Sequence, residues 1–535
     1  MNFNKKLAVA VSSAVLLMAG QVALADSATD IVDALVSKGV LTEEEGKLIT
    51  KGHTSKTSVT PVVKEKDGAF ILESANARNS IQLTGRMHLD YRYIDSDGLT
   101  QNILGDADKD GASAASQYEL RRARLGVKGK LAKYFNYEVV GNLPGTATID
   151  VAFLDFAKYD QMQLRVGKFK QPFGLEQLTS SNNIDFLERS YVDQTVPGKK
   201  LGAMLYGEPK PGLTYAGSAY QMNDVENDSN TEDMSYAGRG TLNFAELMGN
   251  KDAILHVGLA GFNNSSSVRP SSSSGSTGGN SSSGTLLSYR TPGRGLNNIF
   301  RAQVQGASAT VSAQSQLSDI TAQVESKAYG LEGIMAFNSL KFQGEYTKGD
   351  YTASYQDGTS NVNLDNVAYY GELMYFLTGE KYSGAYKKGT FGSIKPLKDF
   401  DLDNFSGMGA WELGVRYEAY EVSDLNISGS GVSTASRIQG THRCNGTGRS
   451  SGDQAGYSNS GGAQSGCSSG AGTWTAGLKW ILNPNIMVKA AYSRTRYDDA
   501  FQFYDIGSSS SSASGMVGGF MKYEDILSVR GQYTF

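Results

Sequence analysis

From about residue 70 to residue 535, apolar and polar residues alternate along the chain with a period of two. In residues 81–93, Ile81, Leu83, Met87, Leu89, Tyr91 and Tyr93 hold one parity. Gln82, Thr84, Arg86, His88, Asp90 and Arg92 hold the other. Further along, Trp411, Leu413, Val415 and Tyr417 alternate with Glu412, Gly414, Arg416 and Glu418. This pattern predicts β-strands, whose successive side chains point to opposite faces of a sheet. Residues 29–51 differ: Ile31, Leu35 and Val36 recur at helical spacing, and Thr42 with Glu45 makes a capping box for a second helix. A Ser/Thr/Lys-rich linker then runs to about Asp67.

Alternation alone also suits a soluble β-sandwich. The spacing of the connections favours a transmembrane antiparallel β-barrel, an all-β fold with short turns at one end and long loops at the other. Residues 482–485, Leu-Asn-Pro-Asn, predict a short turn. The Ser/Gly-rich segments 263–285, 427–473 and 507–519 predict long outer loops, because such a composition cannot build a core. Composition agrees: 63 Gly, 29 Tyr, 19% charged residues and a mean hydropathy of −0.34 exclude a bundle of membrane helices.

The N-terminus has the pattern of an export signal. Lys5 and Lys6 precede an apolar stretch over residues 7–18, and Ala23-Leu24-Ala25 forms a small-x-small cleavage site. The predicted organisation is a signal peptide over 1–25, a helical periplasmic segment over 26–55, a linker over 56–69 and the barrel over 70–535. Cys444 and Cys467 lie in one Gly/Ser-rich stretch, and an oxidising exported compartment predicts a disulfide between them. His53, His88, His256 and His442 have no metal-ligand spacing, and no catalytic constellation stands out. The expectation is a protein that is not an enzyme, with no metal, no cofactor and no nucleic-acid partner. The last strand ends in Tyr533 and Phe535, which share a parity with Leu527 and Val529. A C-terminal aromatic of this kind is expected to serve as the signal for the barrel-assembly machinery.

Residues 118–131 (YELRRARLGVKGKL), 164–190 (LRVGKFKQPFGLEQLTSSNNIDFLERS) and 197–202 (PGKKLG) resemble the phosphate/polyphosphate-selective porin family of Gram-negative bacteria. So do FLTGE, GTFGSIKP, GAWELGVRYE and WTAGLKWILNPNIMVKAAYSR in the C-terminal half. The resemblance covers most of residues 80–535 in order and weakens in the Ser/Gly-rich loops. It implies a sixteen-stranded barrel in the outer membrane, assembled as a homotrimer and passing anions.

In such a barrel the polar parity faces water. With Ala123, Leu125 and Val127 toward lipid, Arg122, Arg124, Lys128 and Lys130 face the lumen. The same parity turns Arg86, Arg92, Arg165, Arg239, Arg301, Lys341 and Arg530 inward, with Arg416, Lys479 and Lys489. Inward acids are Asp90, Glu138, Glu345, Glu372, Glu412 and Glu418. For any one of these bases, pairing with an acid is as good a reading as contact with a permeant. Arg121 falls on the apolar parity and is expected at the membrane's edge. Lys168 and Lys170 share the parity of Leu164 and Val166, so the strand is expected to end near Gly167, because lysine is costly in the membrane core. Beyond it, Lys168, Lys170 and Arg189 belong either to a constriction loop folded into the barrel or to an exposed loop. The reading is a passive anion channel for phosphate or polyphosphate. A general diffusion porin with paired charges and a structural or adhesive surface barrel are the alternatives.

Overall fold

The computed structural model describes Val32 and residues 34–49, 60–66, 69–96, 116–222, 234–268, 283–295, 299–305, 322–355, 361–401, 403–428, 436–440, 464–503 and 519–535. Residues 1–25 and Cys444 lie outside the described residues.

Sixteen strands form the wall: β1 (Ser80–Ser96), β2 (Gln117–Leu131), β3 (Phe135–Asn142), β4 (Thr148–Tyr159), β5 (Met162–Lys170), β6 (Lys199–Lys210), β7 (Leu213–Tyr220) and β8 (Ser235–Asn243). Then follow β9 (Ala253–Val268), β10 (Ala322–Phe337), β11 (Leu340–Tyr355), β12 (Asn361–Phe376), β13 (Ala410–Ser428), β14 (Gln464–Ile481), β15 (Ile486–Phe503) and β16 (Gly519–Thr534). Each pairs antiparallel with its neighbour in sequence, and β16 closes on β1 through Tyr533 opposite Met87 and Arg530 opposite Asp90. Closure leaves no open edge in the wall, which a strand structure in lipid requires. No helix among the described residues is long and apolar enough to cross a membrane.

Outward residues such as Leu89, Leu164, Leu259, Leu331, Leu373, Leu413 and Leu527 are exposed and form the apolar belt. The strands of β3 to β8 hold 8 to 12 residues, against 15 to 19 elsewhere, so the wall is low on one side. The connection from β5 to β6 starts from this low wall.

Three expectations change. Strand β5 does not end near Gly167 but runs to Lys170; Gly167 has a φ of 124°, and a side chain there would overlap the Ala152 carbonyl. Part of the expected linker is a strand: Val62–Lys66 pairs with Ala69–Glu73, and this hairpin pairs with β1 beyond the end of β16. The Ser/Gly-rich stretches also hold structure. Strand β9 runs to Val268 and β14 starts at Gln464, because pairing with a neighbour satisfies their backbones whatever their side chains. At the N-terminus, residues 34–37 and 43–49 are helical, and Thr42 and Glu45 make the reciprocal capping bonds. Those bonds from Thr42 lower the Glu45 pKa.

Candidate functional site

The connection between β5 and β6, residues 171–198, lies inside the barrel. Phe173, Leu175, Ile184, Phe186, Leu187, Tyr191 and Val192 are all buried there. Two inward-facing glycines make room for it: a Cβ on Gly330 would come within 2.9 Å of the Phe173 ring, and one on Gly477 within 2.9 Å of Phe186. The loop leans on the tall wall. Asp185 bridges Lys341 at 2.5 Å and Lys479 at 3.2 Å. Glu176 meets Arg416 at 3.1 Å, and Glu188 meets Arg530 at 2.6 Å. Glu345 accepts from the amides of Leu175 and Glu176, at the start of the short helix Leu175–Leu178, and Glu418 accepts from the Tyr191 amide. Lys489 bonds the carbonyls of Ile184 and Phe186. Buried polar groups need such partners, and the wall supplies them. Burial raises the Asp185 and Glu188 pKa values, but neighbouring cations outweigh it and hold both well below the usual carboxylate range. These are Lys341 and Lys479 for Asp185, and Arg122, Arg121 and Arg530 for Glu188.

Above this level the tall wall is covered as well. Strands Ser283–Tyr289, Phe300–Gln305 and Ser436–Gly440 form a small inner sheet. Leu286, Leu287, Tyr289, Ile299, Phe300 and Ala302 pack there against Tyr351, Val362, Leu364, Tyr420, Val422 and Leu425. Inward residues in the outer half of β11 to β13 are therefore apolar because they face protein, not water. Buried Cys467 belongs to this core and is disulfide-bonded.

Beside the low wall the described residues leave a passage enclosing about 1110 Å³ of water-accessible space. It extends from the level of Arg122 and Lys170 down to the turns, where Asp160, Pro484 and Lys388 line it. Of the cations singled out in the sequence, Arg86, Arg122, Arg124, Lys128, Arg165, Arg239, Lys170 and Arg189 line this passage. Arg124 lies 2.9 Å from Asp150, Arg165 lies 3.1 Å from Asp155, and Arg239 lies 2.5 Å from Glu332. Arg86 donates to Ser181 at 3.0 Å, and Lys128 has no ion pair among the described residues. Lys170 and Arg189 both donate to the Thr179 carbonyl, which ties them to the loop.

The others are elsewhere. Lys341 and Arg530 are buried beneath the loop, as are Lys479, Lys489 and Arg416. Arg92 is buried between Glu119 and Asp90. Arg301 stands on the inner sheet and bonds Thr285, not on a wall strand. Lys130 is exposed at the end of β2, and Lys168 does not line the passage. Parity assigns a face but says nothing of what covers that face.

Two charged residues reach the lumen by breaking alternation. The register of β1 and β2 shifts between His88 and Leu89, leaving Arg121 as an extra residue. This bulge turns Arg121 inward, where it bonds Glu188 through two nitrogens at 2.8 and 3.0 Å, and not to the membrane's edge. A second shift, between Val140 and Gly141, makes Asp150 the extra residue of β4. Asp150 then pairs with both Arg124 and Lys199. Alternation could not show Asp150, nor Lys199, which stands opposite Lys170 at the top of the low wall. Lys388 and Lys395 come from the 377–409 connection and were also missed.

A closed strand wall with an apolar belt, a folded-in loop and a water-accessible passage defines an outer-membrane channel of the porin class. The model of the family "Phosphate-selective porin O and P" matches residues 81–503, and the chain belongs to that family. It functions as an outer-membrane porin in the Gram-negative envelope. Porin O of Pseudomonas aeruginosa is 23% identical over 467 residues, covering 83% of this chain and 89% of that protein. Among solved structures, OmpT of Vibrio cholerae is 9% identical, with a TM-score of 0.42, over 86% of this chain and 98% of that one. An anion-selective porin from Comamonas acidovorans is 11% identical, with a TM-score of 0.42, over 85% and 100%.

Proposed function

We propose that this porin is a passive, anion-preferring diffusion channel whose permeants are phosphate and polyphosphate. The observation that carries the reading is the charge of the passage. Eleven Lys and Arg residues line it against five Asp and Glu, although the whole chain has a formal net charge of −4. The low-dielectric wall focuses that field and raises the local anion concentration. Arginine forks at Arg86, Arg122 and Arg124 match the oxygens of a phosphate, while Lys128 and Lys199 act as point charges. Asp150 and Glu138 among these cations keep each step shallow, and shallow sites in series let an anion leave as well as enter. The family description, which names phosphate selectivity, supports phosphate as the permeant class.

The test is block of chloride current in planar bilayers. Millimolar phosphate added to either side should reduce single-channel chloride current, with less block in Arg124→Ala. Chloride current indifferent to phosphate would leave a general anion pore and reject phosphate as the permeant. The family also implies a homotrimer, which cross-linking of the folded protein tests.

A further inference from the structure

The connection from β12 to β13, residues 377–409, is long, although it lies at the end of the barrel where other turns are short. Its first half is inside the mouth. Tyr382 and Phe391 are buried, and the Gly389 carbonyl accepts from Arg239 at 2.8 Å. The chain then crosses the rim, where the Phe400 amide donates to the Leu482 carbonyl at 2.7 Å.

Its second half is outside. The rings of Trp411 and Trp480 stack at 4.9 Å, and Phe400 meets Trp480 edge-on at 5.2 Å. Both indole N–H groups donate to the Met408 carbonyl at 2.9 Å, so the stack needs no further polar partner. A turn closed by Asp401, whose carboxylate accepts from the amides of Asp403 and Asn404, presents the tip. Phe405 sits there at a φ of 48°, a conformation that residues with side chains seldom adopt. Leu397, Phe405 and Met408 are 70%, 77% and 65% exposed. This apolar tip is continuous with the lipid belt through half-buried Trp411 and exposed Leu377, Tyr375 and Leu413.

We propose that residues 397–401 and 403–411 form a foot seated at the headgroup boundary of the periplasmic leaflet, which holds the inner half of the same segment in the mouth. Aromatic side chains favour this boundary, and tilted apolar tips gain by leaving water there. The inference rests on the lipid belt, not on ion selectivity.

A nitroxide label on Phe405→Cys, in the full protein reconstituted into phospholipid vesicles, tests it. Cys467 is disulfide-bonded, so the introduced thiol takes the label. Collisions with oxygen should exceed those with a water-soluble nickel chelate, as at Leu413→Cys on the belt and unlike Asp252→Cys on an exposed turn. A profile matching Asp252→Cys would place the tip in water and overturn the foot. Suppressed collisions with both reagents would show a protein surface over the tip, a second copy of the chain, and would equally overturn it. Should Phe405→Cys fail to fold, labelled Met408→Cys gives the same reading.

Discussion

Arg121 donates to Glu188 through Nε at 2.8 Å, although strict alternation turns Arg121 toward lipid. The β-bulge between β1 and β2 makes the contact possible, and Glu188 also meets Arg122 at 3.7 Å and Arg530 at 2.6 Å. One loop carboxylate thus gathers three wall guanidiniums. In Glu188→Ala those guanidiniums lose a buried partner, a loss of about 3–5 kcal/mol for a pair of this kind. The folded barrel should unfold at lower guanidinium concentration, and its single-channel current should become larger and noisier as the loop loosens. An unchanged unfolding midpoint would mean that the apolar contacts of Phe173 and Phe186 hold the loop alone.

The cations fall into two sets with different jobs. Arg124 and Lys128 line the passage, whereas Lys341 and Lys479 lie beneath the loop against Asp185. Arg124→Ala and Lys128→Ala should lower the anion-to-cation permeability ratio and leave stability nearly unaltered. Lys479→Met should do the reverse, lowering resistance to denaturant while the folded fraction keeps its ion preference. Equal effects on selectivity from both sets would dissolve the distinction.

Asp150 stands among Arg124, Lys199 and Arg86 in the cationic lining. Asp150→Asn removes one negative charge there without changing shape. The anion-to-cation permeability ratio should rise, most clearly at low salt, where screening is weakest. A ratio that falls would show that Asp150 mainly positions Arg124 and Lys199.

At the closing seam the Phe535 amide donates to the Gly85 carbonyl at 3.2 Å, and the Phe535 ring occupies the space a side chain at position 85 would need. Gly85→Val should therefore hinder closure between β16 and β1. On unheated gels the fraction migrating as folded barrel should drop relative to the parent. Parent-like folding would show that the terminal ring docks elsewhere during assembly.

Alternation made the wall legible. Leu413, Val415 and Tyr417 against Glu412, Arg416 and Glu418 have one consequence, a strand with unlike faces, and β13 is that strand. Even the turn over residues 482–485 falls between Ile481 and Ile486. The lining was harder to read, because it depends on what fills the barrel. Lys341 and Arg124 look alike in sequence, yet residues 171–198 cover the first and leave the second open. Arg121 and Asp150 were hidden for another reason: each is the added residue of a bulge, and one added residue reverses parity locally. The inner sheet was invisible as well, since the apolar inward residues Val362 and Leu364 show only which partner they need, not where in the chain it lies.

In the proposed channel the excess of cations along the passage sets the direction of ion preference. Zero-current potential across a planar bilayer, with potassium chloride raised on one side, measures that preference directly. Its sign should be that of excess chloride flux, with a smaller magnitude in Arg124→Ala. A potential of the opposite sign, or none, would contradict it.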